Sequence, residues 1–314
     1  MLKNYLLFAV FFLLLFYACN KEEEEVFATE KMVDWFVIEN KSGEVNQLIY
    51  DIYTHDNMSV FINDTIYQGD GGKDYFGNPV TDLVLFEPGY HVFSTDVFVS
   101  IKLSSDSAAM LKALHVIREK VLPLLPKSGT YRPSSILLVD TLYRGVNDLG
   151  TYIWGETALY PEGLKGVTLG ELYKVPGMSD DELLIWGSRI LASKSKNWIQ
   201  VNHDKEVTEF SKITDEGLMW GTNYDKNVGL SPWETPEELS FFSWHSLLKN
   251  GGGYRSPSIE NDLIEYITYV YAYGGREEKL KEKYKNYPKI LRKFDLVKTL
   301  VEEFEATLKK NKQF

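Results

Sequence analysis

One cysteine, Cys19, stands in a chain of 314 residues. No disulfide can therefore form within the molecule, and packing has to hold the fold together. The histidines are His55, His91, His115, His203 and His245, and no two of them lie four residues apart. That spacing excludes the pair of imidazoles, one helical turn apart, that a helix-borne zinc site requires. Positive charge is also scarce: 34 Lys and Arg face 45 Asp and Glu, a net charge of −11. Such a chain repels phosphate backbones and releases no counterions from them, which excludes nucleic acid as a partner. Proline is sparse at 11 residues while 44% of the chain is hydrophobic, so the composition is not that of a disordered protein. The length suffices to bury one large core or two modest ones. The glycine-rich stretch Gly69–Lys73 lacks both the second glycine spacing and the Lys-Ser/Thr pair of a phosphate cradle, and reads as a turn. There is no internal repeat.

The N-terminus carries the firmest local signal. Lys3 precedes an apolar run, Tyr5–Ala18, too short and too closely followed by acidic residues for a comfortable membrane span. The run ends at the solitary Cys19, followed by Asn20, Lys21 and Glu22–Glu25. This tail resembles the lysine-plus-acidic tract behind the lipidated cysteine of surface-displayed lipoproteins of the Bacteroidetes. Upstream the chain departs from the usual lipobox, with Phe16 and Tyr17 where an aliphatic and a small residue are customary. The expectation is a signal peptide at 1–18, lipidation at Cys19, an acidic tether at 19–30 and a single domain at 31–314. An uncleaved anchor and an ordinary secretory signal are the competing readings.

Ser179–Trp198 organises the rest. Ser179 with Glu182 three residues on forms a capping box, and Leu183, Leu184, Gly187, Ile190 and Leu191 recur at helical spacing on one face that should be buried. Upstream, Val33–Asn40 reads as a short helix or strand, and Gln47–Tyr53, Val60–Ile66 and Val80–Phe86 read as strands. Ser105–Leu125 reads as a helix with His115 at the rim of a core, stopped by Pro123 and Pro126. The nearly continuous apolar run Ser135–Asp140 has the pattern of a central strand covered on both faces. Tyr152–Tyr160 is the next candidate strand, broken at Gly155, with a turn-rich connection at Gly163–Gly170.

Glu206–Ile213 is ambiguous, Gly217–Pro236 reads as a long ordered loop, and Pro236–Lys249 as a helix. Ser256 with Pro257 behind it opens another helix along Ile259, Leu263, Ile267, Val270 and Tyr271, closed by Gly274 and Gly275. An amphipathic terminal helix follows Pro288 through Ile290, Phe294, Val297, Val301, Phe304 and Leu308. Strands early and helices late give an α+β fold, a mixed N-terminal sheet with helices and a helical C-terminal part.

The order of these features resembles the zinc-binding metallopeptidase lipoproteins of gut Bacteroidetes. The likeness is carried by DWFVIEN with LIYDIY, by PSSILLVD, by ENDLIEYITYVYAYG and by YPKILRKFDLVKTLV. It implies a zincin-like scaffold, zinc as the family's cofactor, and an outer-membrane lipoprotein facing the exterior. In that register Arg189–Ala192 matches the end of the family's His-Glu-x-x-His motif. Ile185 then stands at the first imidazole, Trp186 at the general base and Arg189 at the second imidazole. On the later helix Asn261 replaces a glutamate, while Asp262 and Glu265 remain. The resemblance thus implies a degenerate site without metal ligands, with Trp186, Arg189, Asp262 and Glu265 lining the cleft and Arg189 pairing with Glu265.

The function expected is that of a non-catalytic binding or assembly module. Its pocket would be lined by Trp186, Trp198, Trp220 and Trp233, it would be held to a membrane by lipid, and it would take a protein or glycan ligand. The alternatives are an active zinc peptidase with ligands relocated to His203, His245, Asp262 and Glu265, and a glycan-binding protein that stacks exposed aromatics on sugar rings.

Overall fold

The computed structural model describes residues 34–88, 97–148, 151–163, 165–229, 233–244 and 254–311. Cys19, the signal segment and the acidic tether lie outside them, as do His91 and His245. The chain divides into Met1–Trp35, of which only Asp34 and Trp35 are described, and the unit Phe36–Phe314. Among the described residues no helix is long and apolar enough to cross a membrane.

The unit is α+β. Its first helix, α1 (Glu44–Asp56), covers the segment read from sequence as a strand. Leu48, Ile49 and Ile52 are buried, a helical spacing that the tyrosines at 50 and 53 disguise as alternation. Asp34–Asn40 forms neither helix nor strand.

Three adjacent parallel strands belong to a four-stranded sheet. They are β1 (Ser59–Phe61), β5 (Ser135–Leu138) and β9 (Gly166–Leu169), and β8 (Leu159–Gly163) pairs antiparallel on the outer side of β9. All residues of β1, β5 and β9 are buried, as expected of parallel strands covered on both faces. In register, Val60 faces Ile136, which faces Val167. The segment read as a turn-rich connection is in fact the β8–β9 hairpin. Gly166 adopts φ +150°, and a Cβ there would collide with the Ser135 carbonyl, so only glycine lets β9 start beside β5.

Two smaller sheets flank this core. One is the hairpin β2 (Thr65–Lys73) and β3 (Pro79–Leu85). Its first strand runs through the glycine-rich stretch, and the turn falls at Asp74–Asn78, where the Asp74 carboxylate accepts from the backbone N–H of Phe76 and Asn78. The other comprises β4 (Val97–Lys102), β6 (Thr141–Asp148) and β7 (Thr151–Glu156), in which Gly155 pairs with Arg144 without breaking the strand.

The helix α2 (Ser107–Val116) is capped by Asp106, which accepts from the N–H of Ala108 and Ala109. It continues through a π turn at Ile117–Val121 and a short 3-10 turn before Leu125. His115 is exposed, 3.6 Å from Glu119, and does not rim the core.

The organising helix, α3 (Asp180–Asn202), begins where its sequence says. The Ser179 hydroxyl accepts from the Glu182 N–H, and the Glu182 carboxylate accepts from the Ser179 N–H at 2.8 Å. Three acids in the first turn complement the positive end of the helix dipole. Leu183, Trp186, Ile190 and Leu191 belong to the core over the sheet, while Ala192 and Ile199 belong to the core of the helical half, so α3 spans both. Gly187 lies where a Cβ would come within 3.1 Å of a Val121 methyl and 3.2 Å of a Val116 methyl, so glycine admits the end of α2 against α3.

The helical half adds α4 (Asp204–Thr214), α5 (Ile259–Ala272), α6 (Glu277–Lys283) and α7 (Pro288–Lys310). The N-cap of α5 is Ser258, two residues later than the sequence suggested, and its hydroxyl accepts from the Asn261 N–H. The helix read at Pro236–Lys249 does not form over its described part. Thr235 and Glu238 exchange capping-box bonds, but Ser240 turns to φ +66° and ends the spiral after one turn. Between α4 and α5 lies a short antiparallel ribbon of β10 (Asn227–Gly229) and β11 (Tyr254–Arg255).

Candidate functional site

The positions assigned to a peptidase centre are occupied by packing. On α3, Trp186 is fully buried in the sheet-side core and donates its indole N–H to the Gly170 carbonyl at 2.8 Å. Ile185 packs into the helical core. Arg189 lies 3.5 Å from the Glu171 carboxylate, not paired with Glu265 as the sequence suggested. Glu171 is held by its own φ of +62° at the start of a 3-10 turn, which brings it to α3. Glu265 instead accepts from the Ser243 hydroxyl at 2.8 Å. Burial pushes its carboxyl up to about 7, although the Ser243 bond and the nearby Arg189 charge oppose the shift.

Among the described residues no group of three or more His, Cys, Asp or Glu is placed to hold a metal ion. The residues at the positions that the resemblance assigns do not fit zinc. Ile185 and Trp186 offer no donor, Arg189 is a cation, and the Asp262 carboxylate is engaged by another cation. His203 sits between Glu206 at 3.7 Å and Glu303 at 3.5 Å, its ring against Trp198. The four tryptophans do not converge. Trp186 is core, Trp198 packs on Phe304, and Trp220 and Trp233 stand almost wholly in solvent.

The polar centre of the molecule lies one helix further on, at Asp262 of α5 and Lys293 of α7. Both side chains are fully buried, and the ammonium contacts Oδ2 of the carboxylate. Around the Lys293 Nζ stand the rings of Phe210 at 4.2 Å, Tyr266 at 4.6 Å, Phe241 at 5.3 Å and Tyr224 at 5.6 Å. The ammonium also donates to Thr214 Oγ1 at 2.9 Å and to the Ser240 carbonyl at 3.1 Å. Tyr224 donates to Asp262 Oδ2 at 2.8 Å, and its hydroxyl lies 2.8 Å from Thr214 Oγ1. Asp262 Oδ1 is buried and has no hydrogen-bond partner among the described residues. Burial drives both groups toward neutrality, the Asp262 carboxyl up and the Lys293 amine down, each opposed by the charge of the other. Desolvation likewise raises the Tyr224 hydroxyl far above its ordinary value, so it stays a donor.

Local sequence builds this centre from loops as much as helices. At the end of α4, Asp215 accepts from the Asn223 N–H at 2.7 Å and the Thr222 hydroxyl at 2.9 Å, folding the loop back so that Tyr224 reaches Thr214. The left-handed turn at Ser240 delivers its carbonyl to both Lys293 and the Tyr266 hydroxyl.

The sequence reading does not single out Lys293. Its signal was available, since it lies within the apolar stripe of α7 between Ile290 and Val297, where a lysine has no route to water. Comparison with protein-family models, curated proteins and solved structures finds no match to this chain.

Proposed function

We propose that this chain is a lipid-anchored outer-membrane protein built on a zincin-like scaffold that has given up peptide hydrolysis and serves as a binding or assembly module. The observation that carries the reading is Trp186: where the resemblance sets the general base, a buried indole is bonded to the Gly170 carbonyl. A carboxylate there would need both water and a metal-bound nucleophile to act on, and this position has room for neither. The engagement of Asp262 by Lys293 and Tyr224 supports the same reading, because it leaves that carboxylate no free pair of oxygens for a cation.

The experiment is metal analysis of the purified chain after dialysis, combined with a peptidase assay run with and without chelator. The expected result is substoichiometric zinc and no chelator-sensitive cleavage. Stoichiometric zinc, or cleavage that a chelator abolishes, restores the active-peptidase reading.

The ligand-binding side of the proposal draws on Trp220 and Trp233, whose rings are almost wholly exposed within Gly217–Pro236. Exposed indoles of this kind favour stacking on sugar rings. Binding to an array of immobilised glycans, lost on Trp220→Ala or Trp233→Ala, is the expected outcome. An array that the wild-type chain leaves blank directs the module toward protein partners.

A further inference from the structure

The Asp262–Lys293 contact is an unusual arrangement for an ion pair. Two opposite charges held away from water have to recover their desolvation through complete hydrogen bonding, yet Asp262 Oδ1 has no partner among the described residues. The amine and the carboxyl are in contact, four aromatic rings exclude water, and a chain of hydroxyls runs from one group to the other. Lys293 Nζ donates to Thr214 Oγ1, Thr214 is hydrogen-bonded to Tyr224, and Tyr224 donates to Asp262 Oδ2.

We propose that Lys293 and Asp262 condense into an intramolecular amide that joins α5 covalently to α7. The step balances within the pair. The ammonium first passes a proton to the carboxylate, giving a neutral amine and a neutral acid. The Nζ lone pair then attacks Cγ. As the new C–N bond forms, the nitrogen releases a second proton into the Thr214–Tyr224 relay, which delivers a proton to Oδ2. The Cγ–Oδ2 bond breaks and Oδ2 departs as water. Oδ1 remains as a neutral carbonyl oxygen, whose burial without a partner costs less than that of a carboxylate oxygen. No oxidant, metal or activated co-reactant is required, and the product carries neither of the buried charges. The closed loop spans a separation of 31 residues, in a unit whose sequence offers no cysteine for a disulfide.

Tryptic digestion of the denatured full-length chain tests the proposal. Trypsin cuts after Arg255, Arg276, Arg292 and Lys298, and it cuts after Lys293 only if that amine is free. The expected digest contains Ser256–Arg276 joined through Lys293 to Lys293–Lys298. Its mass is the sum of the two peptides less one water, and the linear Phe294–Lys298 peptide is missing. Recovery of linear Ser256–Arg276 and Phe294–Lys298 in full yield means an ion pair only and overturns the proposal. Asp262→Asn should give the same joined peptide at the same mass, because ammonia then leaves in place of water. Asp262→Ala should give none. Tyr224→Phe interrupts the relay, and the linked fraction should fall in protein that still folds by circular dichroism. Linkage in that variant as complete as in wild type would refute the hydroxyl route.

Discussion

Trp186 donates its indole N–H to the Gly170 carbonyl at 2.8 Å, tying the organising helix α3 to the loop that leaves strand β9. Both the bond and the ring are buried. Trp186→Phe keeps much of the ring but strands the Gly170 oxygen, which should lower unfolding free energy by roughly 2 kcal/mol. Trp186→Glu should instead prevent folding, because an unpaired charge would replace a core ring. Chemical denaturation of the first variant and the soluble yield of the second check this. A folded, unperturbed Glu variant would mean that this position opens to solvent.

The buried pair makes a prediction about variants of one another. Lys293→Met leaves Asp262, and Asp262→Leu leaves Lys293, as a buried ionisable group without the partner it contacts in the wild type. Each should cost on the order of 3–5 kcal/mol. The double variant Lys293→Met/Asp262→Leu removes both stranded groups and should unfold at higher denaturant than either single variant. Midpoints that simply add would show that the two side chains are independent.

Glu265 gives the fold a pH dependence of defined sign. Its carboxyl is raised from an ordinary 4.5 to about 7, so between those values the folded chain holds a proton that the unfolded chain has released. Stability therefore falls as pH rises from about 4.5 to about 7. The loss is roughly 2 kcal/mol once the partial exposure of the group is allowed for. Glu265→Gln keeps an acceptor for Ser243 and should flatten this slope, gaining stability over wild type at pH 8 and not at pH 5. Equal slopes in the two proteins would rule Glu265 out as the source.

Capping and glycine positions supply the control for local structure. Ser179→Ala should cost about 1 kcal/mol, and Gly166→Ala more, since its Cβ meets the Ser135 backbone at a φ of +150°. Thermal melts of the two variants measure the order. A Gly166→Ala protein as stable as wild type would mean that β9 and β5 are not paired as described.

The sequence alone determined whatever depends on near neighbours. Ser179 and Glu182 start α3, Pro288 and an apolar stripe define α7, and the nearly continuous apolar run at Ser135–Asp140 marks a strand covered on both faces. These signals repeat over a few residues, because caps and periodic burial act within a turn or a pleat. Contacts across the chain went the other way. Gln47–Tyr53 became helix because Leu48, Ile49 and Ile52 pack on the core, and Pro236 onward stopped after one turn because Ser240 is needed beside Lys293. Arg189 went to Glu171 instead of Glu265. The meeting of Lys293 with Asp262 was likewise decided only by tertiary structure. Periodicity tells which face of a helix is buried, but the partner across that face is set by how two helices and two loops close on one another.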